Sequence, residues 1–281
     1  MRKIDAAIIT ETVHDLFLQA NYFIGTDIFE QLKQRRELEE SPIGKSVLTQ
    51  IIKNNEIAAQ EQLPICQDTG LAVLFIELGQ EVAVVGGDLN EAINAGVSEA
   101  CTNGYLRKSV VDDPLFDRLN TNNNTPAITH INIVPGNRIK ITVTAKGFGS
   151  ENMSRMKMLK PADGVEGVKN FVIQTAVDAG PNPCPPIIVG VGIGGTMEKA
   201  AILSKRALLR PLGQENQDPR YAALEREVLD EINKSGVGPA GLGGRTTALA
   251  VNIDYFPTHI AGLPVAVNIC CHASRQAQKV L

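Results

Sequence analysis

The chain has 281 residues, with 27 Lys and Arg against 31 Asp and Glu, a formal net charge of −4, 43% hydrophobic and only 4% aromatic residues. Apart from Lys33-Gln-Arg-Arg36, which acidic residues follow at once, the basic residues are spread out, which argues against nucleic acid or an anionic membrane as a partner. No run approaches the roughly 18 apolar residues of a spanning helix, the opening Met1-Arg-Lys-Ile-Asp-Ala-Ala7 has no apolar signal core, and an odd count of 5 cysteines points to a reducing cytoplasm.

The chain is long enough to bury roughly three quarters of its unfolded surface without staples. Residues 4–19 carry apolar side chains at helical spacing, Thr26-Asp27 can cap a helix over 28–39, and Ser41-Pro42 opens another to about residue 60. Residues 1–60 therefore read as a helical entry segment. A buried strand is expected over 71–78, and Asp88 can cap a helix over 89–102. Residues 114–126, with Asn120-Thr-Asn-Asn-Asn-Thr125, are the most polar stretch and read as a loop.

Strands over 127–134 and 138–145, joined by Pro135-Gly-Asn137, are expected to pair as a hairpin. Asp163 can cap a helix to about 179, a short strand covers 187–191, and helices follow over 196–209 and 219–234. Strands at 248–253 and 265–269 close the chain, and no internal repeat or linker interrupts it. The fold expected is α/β, with mixed sheet layers behind the helical N-terminal segment, and residues 61–281 form one α/β part of a single 1–281 domain.

Three cysteines lie far apart in rigid, loop-like contexts: Cys66 in Leu63-Pro-Ile-Cys-Gln-Asp-Thr-Gly70, Cys184 in Pro181-Asn-Pro-Cys-Pro-Pro186, and Cys271 in Asn268-Ile-Cys-Cys-His-Ala-Ser274. Three thiolates brought together can hold an iron-sulfur cluster with one iron left open, and an open iron is a Lewis acid suited to adding or removing water. Cys270 and Cys271 are adjacent at a strand end, so their side chains point to opposite faces and only one is expected to face a cluster. Cys101 sits in a helical pattern and reads as a small buried hydrophobe. Zinc competes poorly, because its short paired cysteine spacings are absent.

Two rival readings stay open. Gly190-Val-Gly-Ile-Gly-Gly195 matches the dinucleotide pattern after a strand and before a helix, yet Pro211-Leu-Gly-Gln-Glu-Asn-Gln-Asp-Pro219 offers no second strand with an acidic end to hold a ribose. A non-catalytic iron-sulfur or metal centre would call for a fourth ligand such as Cys270 or His272.

Ile65-Cys-Gln-Asp-Thr-Gly70, Lys146-Gly-Phe-Gly-Ser-Glu-Asn-Met153, Pro183-Cys-Pro-Pro-Ile-Ile-Val-Gly-Val-Gly-Ile-Gly-Gly195, Thr258-His259 and Asn268-Ile-Cys-Cys-His-Ala273 together resemble the α subunit, or N-terminal half, of class I iron-sulfur fumarate hydratases and the related L-tartrate dehydratases. The resemblance spans nearly the whole chain. It implies a 4Fe-4S cluster on Cys66, Cys184 and Cys271, reversible hydration of fumarate to L-malate, and a β subunit that completes the site in an α2β2 heterotetramer. Cys270 stands where the family commonly has Asn, and Phe148 where it usually has Gly.

Gln67 and Asp68 directly follow a ligand position. Asp68 is a candidate for accepting the proton beside a carboxylate, or for tightening the turn with Thr69-Gly70. The resemblance further makes His259 a substrate-binding histidine, Arg107 a planar clamp for a small dicarboxylate, and Gly149 a backbone N–H donor to the substrate. His14, His130 and His272 read as structural.

Overall fold

The computed structural model describes residues 1–281. In chain order its elements are β1 (Arg2–Asp5), α1 (Ala6–Tyr22), α2 (Thr26–Leu38), α3 (Pro42–Glu61), β2 (Leu71–Gly79), β3 (Val82–Val85), α4 (Leu89–Asn103), β4 (Ile128–Val134), β5 (Ile139–Lys146), α5 (Phe148–Glu151), β6 (Arg155–Leu159), α6 (Gly164–Ala179), β7 (Ile187–Gly194), α7 (Met197–Ala207), α8 (Pro219–Lys234), β8 (Ala248–Phe256), β9 (Leu263–Cys270) and β10 (Arg275–Val280). The fold is α/β with mixed sheets and a helical N-terminal segment, as the sequence leads one to expect. No helix is long and apolar enough to cross a membrane. The chain divides into two compact units: Met1–Gly25, Asn54–Phe148 and Ala273–Leu281 form unit one, and Thr26–Lys53 with Gly149–His272 form unit two.

Unit one is built on a four-stranded sheet in the order β10-β5-β2-β4. Helices α1 and α4 turn Ile9, Val13, Leu16, Phe17, Ile93 and Val97 toward Ala72, Leu74 and Ile76 of β2 and the alternate residues Ile139, Ile141 and Val143 of β5. Each such large side chain contributes about 1.5–3 kcal/mol by leaving water. Asp5 accepts from the Ala7 N–H at 2.9 Å, so α1 starts at Ala6. Ile4, which the helical spacing assigns to that helix, instead pairs with Val84 in the β1–β3 ribbon.

The expected hairpin is not formed. Strand β2 lies between β4 and β5, parallel to the first and antiparallel to the second. The physical reason is burial: Ala72 to Ile76 of β2 are all buried, so this strand takes the centre, while the more polar Thr129, His130 and Asn132 of β4 tolerate the edge. His130 packs its ring on Phe75, its register partner.

Unit two carries a second four-stranded sheet, ordered β6-β9-β7-β8. One face buries Val189, Val191, Val251, Val265, Val267 and Ile269 against Val168 and Val172 of α6 and Val228 and Ile232 of α8. The other face takes α7, and there Gly190 and Gly192 let the helix approach, since a Cβ at either would strike the Ser204 or Ala200 carbonyl. Asp163 accepts from the Lys160 N–H at 2.8 Å and caps nothing in α6, a correction to the capping expected of it.

Glu39, just past α2, is 1% exposed and anchors the later 245–246 segment: its carboxylate accepts from the N–H groups of Glu40, Ser41, Arg245 and Thr246 at 2.8–3.1 Å. Burial alone would push this carboxyl up, but the donors from Arg245, Ser41 and Thr246 outweigh it and hold the pKa below the ordinary 4.5.

Candidate active site

In unit one, the turn after α3 is fixed from both sides. The Ile65 N–H donates to the Asn21 carbonyl at 2.9 Å, and the Ile65 carbonyl accepts from Asn54 Nδ2 at 2.9 Å. The next residue, Cys66, lies only partly buried, its Sγ 3.4 Å from the Asp68 N–H and 3.4 Å from Gln67 Oε1. Gln67 itself is exposed.

Asp68 is held at every polar atom. Its N–H faces Cys66 Sγ, its Oδ1 accepts from the Gly70 N–H at 3.1 Å, its Oδ2 from the Phe148 N–H at 3.1 Å, and its carbonyl from Arg275 Nη1 at 2.7 Å. The turn-forming role considered for Asp68 is thus present in the geometry. A carboxylate oxygen can accept two hydrogen bonds, so these ties leave room for a proton at the same oxygens.

Gly70 is required by shape. Its φ is +73°, and a Cβ there would run into the Lys146 carbonyl at the end of β5. Its own carbonyl accepts from Asn124 Nδ2 at 3.1 Å, while Asn124 Oδ1 accepts from the Ser109 N–H at 2.9 Å. The buried Asn124 amide therefore ties the cysteine turn to the segment bearing Arg107, which is exposed. Phe148 keeps its ring exposed and serves Asp68 through its backbone, so the departure from the family's usual Gly leaves that bond in place.

In unit two, Cys184 follows α6 in a turn whose N–H donates to the Pro181 carbonyl at 3.1 Å. It is exposed, with φ at +54°, a left-handed conformation uncommon for a residue with a side chain. Cys270 is the last residue of β9, 4% exposed and paired with Ile188; Cys271 lies just beyond the strand and is partly exposed. Gly149 is exposed in α5, beside the Asn182 carbonyl. His259 is exposed between β8 and β9, its Nδ1 accepting from the Ala261 N–H at 3.2 Å, and it lines a largely apolar cavity of about 360 Å³ with Val165, Val168, Ile260 and Leu263.

Cys101 is 1% exposed in the core of unit one. Burial pushes its thiol up to about 11, against the opposing effects of the Asn124 side chain and the Lys108 charge, so it stays a neutral thiol at physiological pH. Within neither unit do three His, Cys, Asp or Glu side chains gather into a metal-binding group. The donor set still fits an iron-sulfur centre: Cys66, Cys184 and Cys271 are outside the core and outside any disulfide, and the Cys66 sulfur already faces a backbone N–H of the kind that tunes cluster thiolates.

The dinucleotide motif has another use. Gly190 and Gly192 lie inside β7 rather than in the loop before α7, where a phosphate-binding turn would need them, and they serve strand–helix packing.

Three buried residues of this region escape sequence reading: Arg275, Asn124 and Asn21. Arg275 lies one residue past the 268–274 segment, and that closeness to Cys271 is its one usable signal. Asn124 is hidden in a polar run that reads as solvated loop, and Asn21 in an ordinary helical pattern.

Comparison with known proteins now gives this arrangement a context. The profile of the family described as Fumarate hydratase (Fumerase) matches residues 10–280. A Methanocaldococcus jannaschii protein provisionally named as an L(+)-tartrate dehydratase subunit alpha is 42% identical over 275 residues, covering 96% of both chains. The L(+)-tartrate dehydratase subunit alpha of Escherichia coli strain UTI89 is 34% identical over 272 residues, covering 95% of this chain and 89% of its own. These matches define an enzyme of the hydro-lyase class, one that adds water or removes it. The chain belongs to the fumarate hydratase (Fumerase) family.

Proposed function

We propose that this chain is the α subunit of an iron-sulfur hydro-lyase acting on a small hydroxy-dicarboxylate in the cytoplasm, with fumarate and L-malate as the first substrate pair. The observation that carries the reading is the Cys66–Gly70 turn, where a partly exposed thiol and a fully tied carboxylate lie side by side in a chain matched by the family over residues 10–280. L(+)-tartrate is the second reading, favoured by the names of the relatives at 42% and 34% identity.

Cys66, Cys184 and Cys271 would hold a 4Fe-4S cluster, which when bound supplies a Lewis-acid iron that eases departure of the substrate hydroxyl as hydroxide. Arg107 binds a substrate carboxylate through its planar fork, lowering the cost of charge that builds there as the neighbouring carbon loses its proton. Asp68 takes up that proton, directly or through a hydroxyl, at a carboxylate its backbone partners keep from rotating. Gln67 orients the substrate beside it, Gly149 offers its N–H to the second carboxylate, and His259 binds the substrate from the β8–β9 loop.

The relatives' names as α subunits support a β subunit that completes the site, and the assembly proposed is an α2β2 heterotetramer. Anaerobic reconstitution of the chain, followed by assays on L-malate, fumarate and both tartrates with and without the β subunit, tests this. Water addition or removal that needs both chains is expected. Full activity of the chain alone would remove the partner, and no turnover of any of these acids would remove the reading.

A further inference from the structure

Arg275 is the largest buried side chain of the molecule, 1% exposed at the start of β10. A guanidinium remains charged throughout the physiological range, and burying that charge is costly unless an opposite charge compensates it. Here the hydrogen bonds of Nη1 go to neutral oxygens, the Asp68 carbonyl at 2.7 Å and Asn21 Oδ1 at 3.2 Å. Its Nε has no partner at all. The nearby Asp68 carboxylate is turned instead to the N–H groups of Gly70 and Phe148. A cation is therefore buried within unit one, touching the residue whose own N–H faces the Cys66 sulfur.

We infer that Arg275 is a positioning residue that holds the Cys66–Asp68 turn and supplies the fixed positive charge that balances the anionic centre held by Cys66. The inference rests on the cluster reading above. Three thiolates and the sulfides of a cluster would add negative charge to that of the nearby Asp68 carboxylate, whose own hydrogen bonds go elsewhere, and the Asp68 backbone links Arg275 to Cys66 by one hydrogen bond on each side. A charge in this place favours the reduced, more negative form of the centre.

The test is a dye-mediated reductive titration of the reconstituted protein, read by electron paramagnetic resonance, with iron and sulfide counted in each sample. Arg275→Gln is expected to lower the potential, so that at the wild-type midpoint the reduced-to-oxidised ratio falls by about tenfold. Arg275→Lys keeps the charge and should stay near the wild-type potential, while losing hydrogen-exchange protection over residues 65–70. Asn21→Asp retains Arg275 but sets a carboxylate against it, and should lower the potential in the same direction even if Arg275→Gln does not fold. An intact cluster whose potential is unchanged in Arg275→Gln or in Asn21→Asp, or shifts equally in Arg275→Lys and Arg275→Gln, overturns the inference alone. A wild-type chain that takes up no iron and sulfide overturns the cluster reading and this inference with it.

Discussion

The two units handle their cysteines differently. In unit one, Cys66 sits in a turn where Ile65, Asp68 and Gly70 all have hydrogen-bond partners drawn from α1, α3, Asn124, Phe148 and β10. In unit two, Cys184 is exposed on a left-handed backbone and Cys271 lies just past a strand end, with His259 exposed on its own loop. A site residue tied at all its polar atoms is set by folding. The contrast makes the Asp68 turn of unit one the rigid side, and Cys184 and His259 of unit two the exposed side.

The largest effect expected from breaking the rigid side is at Asp68. Asp68→Asn keeps an acceptor for one N–H but turns an amide toward the other, and removes the proton acceptor, so kcat should fall by about two orders of magnitude or more while iron content is kept. Steady-state kinetics with iron analysis checks both, and a near-normal rate would leave Asp68 only its turn. Next comes Gly70→Ala, which combines a positive φ with a collision against the Lys146 carbonyl and should cost about 3 kcal/mol, read as a lowered midpoint in thermal or urea unfolding.

Glu39 sharpens the comparison by placing an equally tied carboxylate away from the chemistry. Its pKa is lowered in the folded state, so its contribution is fully present above the ordinary 4.5 and is lost as pH falls through the lower folded value. Glu39→Gln should cost about 1–3 kcal/mol near neutral pH, with a smaller difference from wild type in acid, as measured by urea unfolding across pH. The smallest effect belongs to an exposed residue of unit one: Arg107→Ala should raise KM by roughly tenfold with a lesser change in kcat.

Much of this was legible in the sequence, for reasons that differ by residue. Asp88 and Ser41-Pro42 announced their helices because capping is local chemistry, and Cys66-Gln-Asp-Thr-Gly70 announced a turn because Asp and Gly have few other uses in that spacing. The hairpin of β4 and β5 was misread because pairing depends on which strand must be buried on both faces, a property of the whole sheet. The roles of Arg275 and Asn124 are not readable locally, because they come from partners 207 and 54 residues away in sequence, and only the closeness of Arg275 to Cys271 marks it. The Gly190 pattern leaves a nucleotide reading open that the missing second strand already disfavours, and the strand that contains it packs on α7 instead.

The central claim is that Cys66, Cys184 and Cys271 hold one catalytic centre, and the most direct measurement is iron and acid-labile sulfide per chain after anaerobic reconstitution of wild type and single Cys→Ser variants. About four irons and four sulfides are expected for wild type and for Cys101→Ser, with loss in Cys66→Ser, Cys184→Ser and Cys271→Ser. Full occupancy in any of those three variants, or loss in Cys270→Ser with retention in Cys271→Ser, would contradict the ligand set.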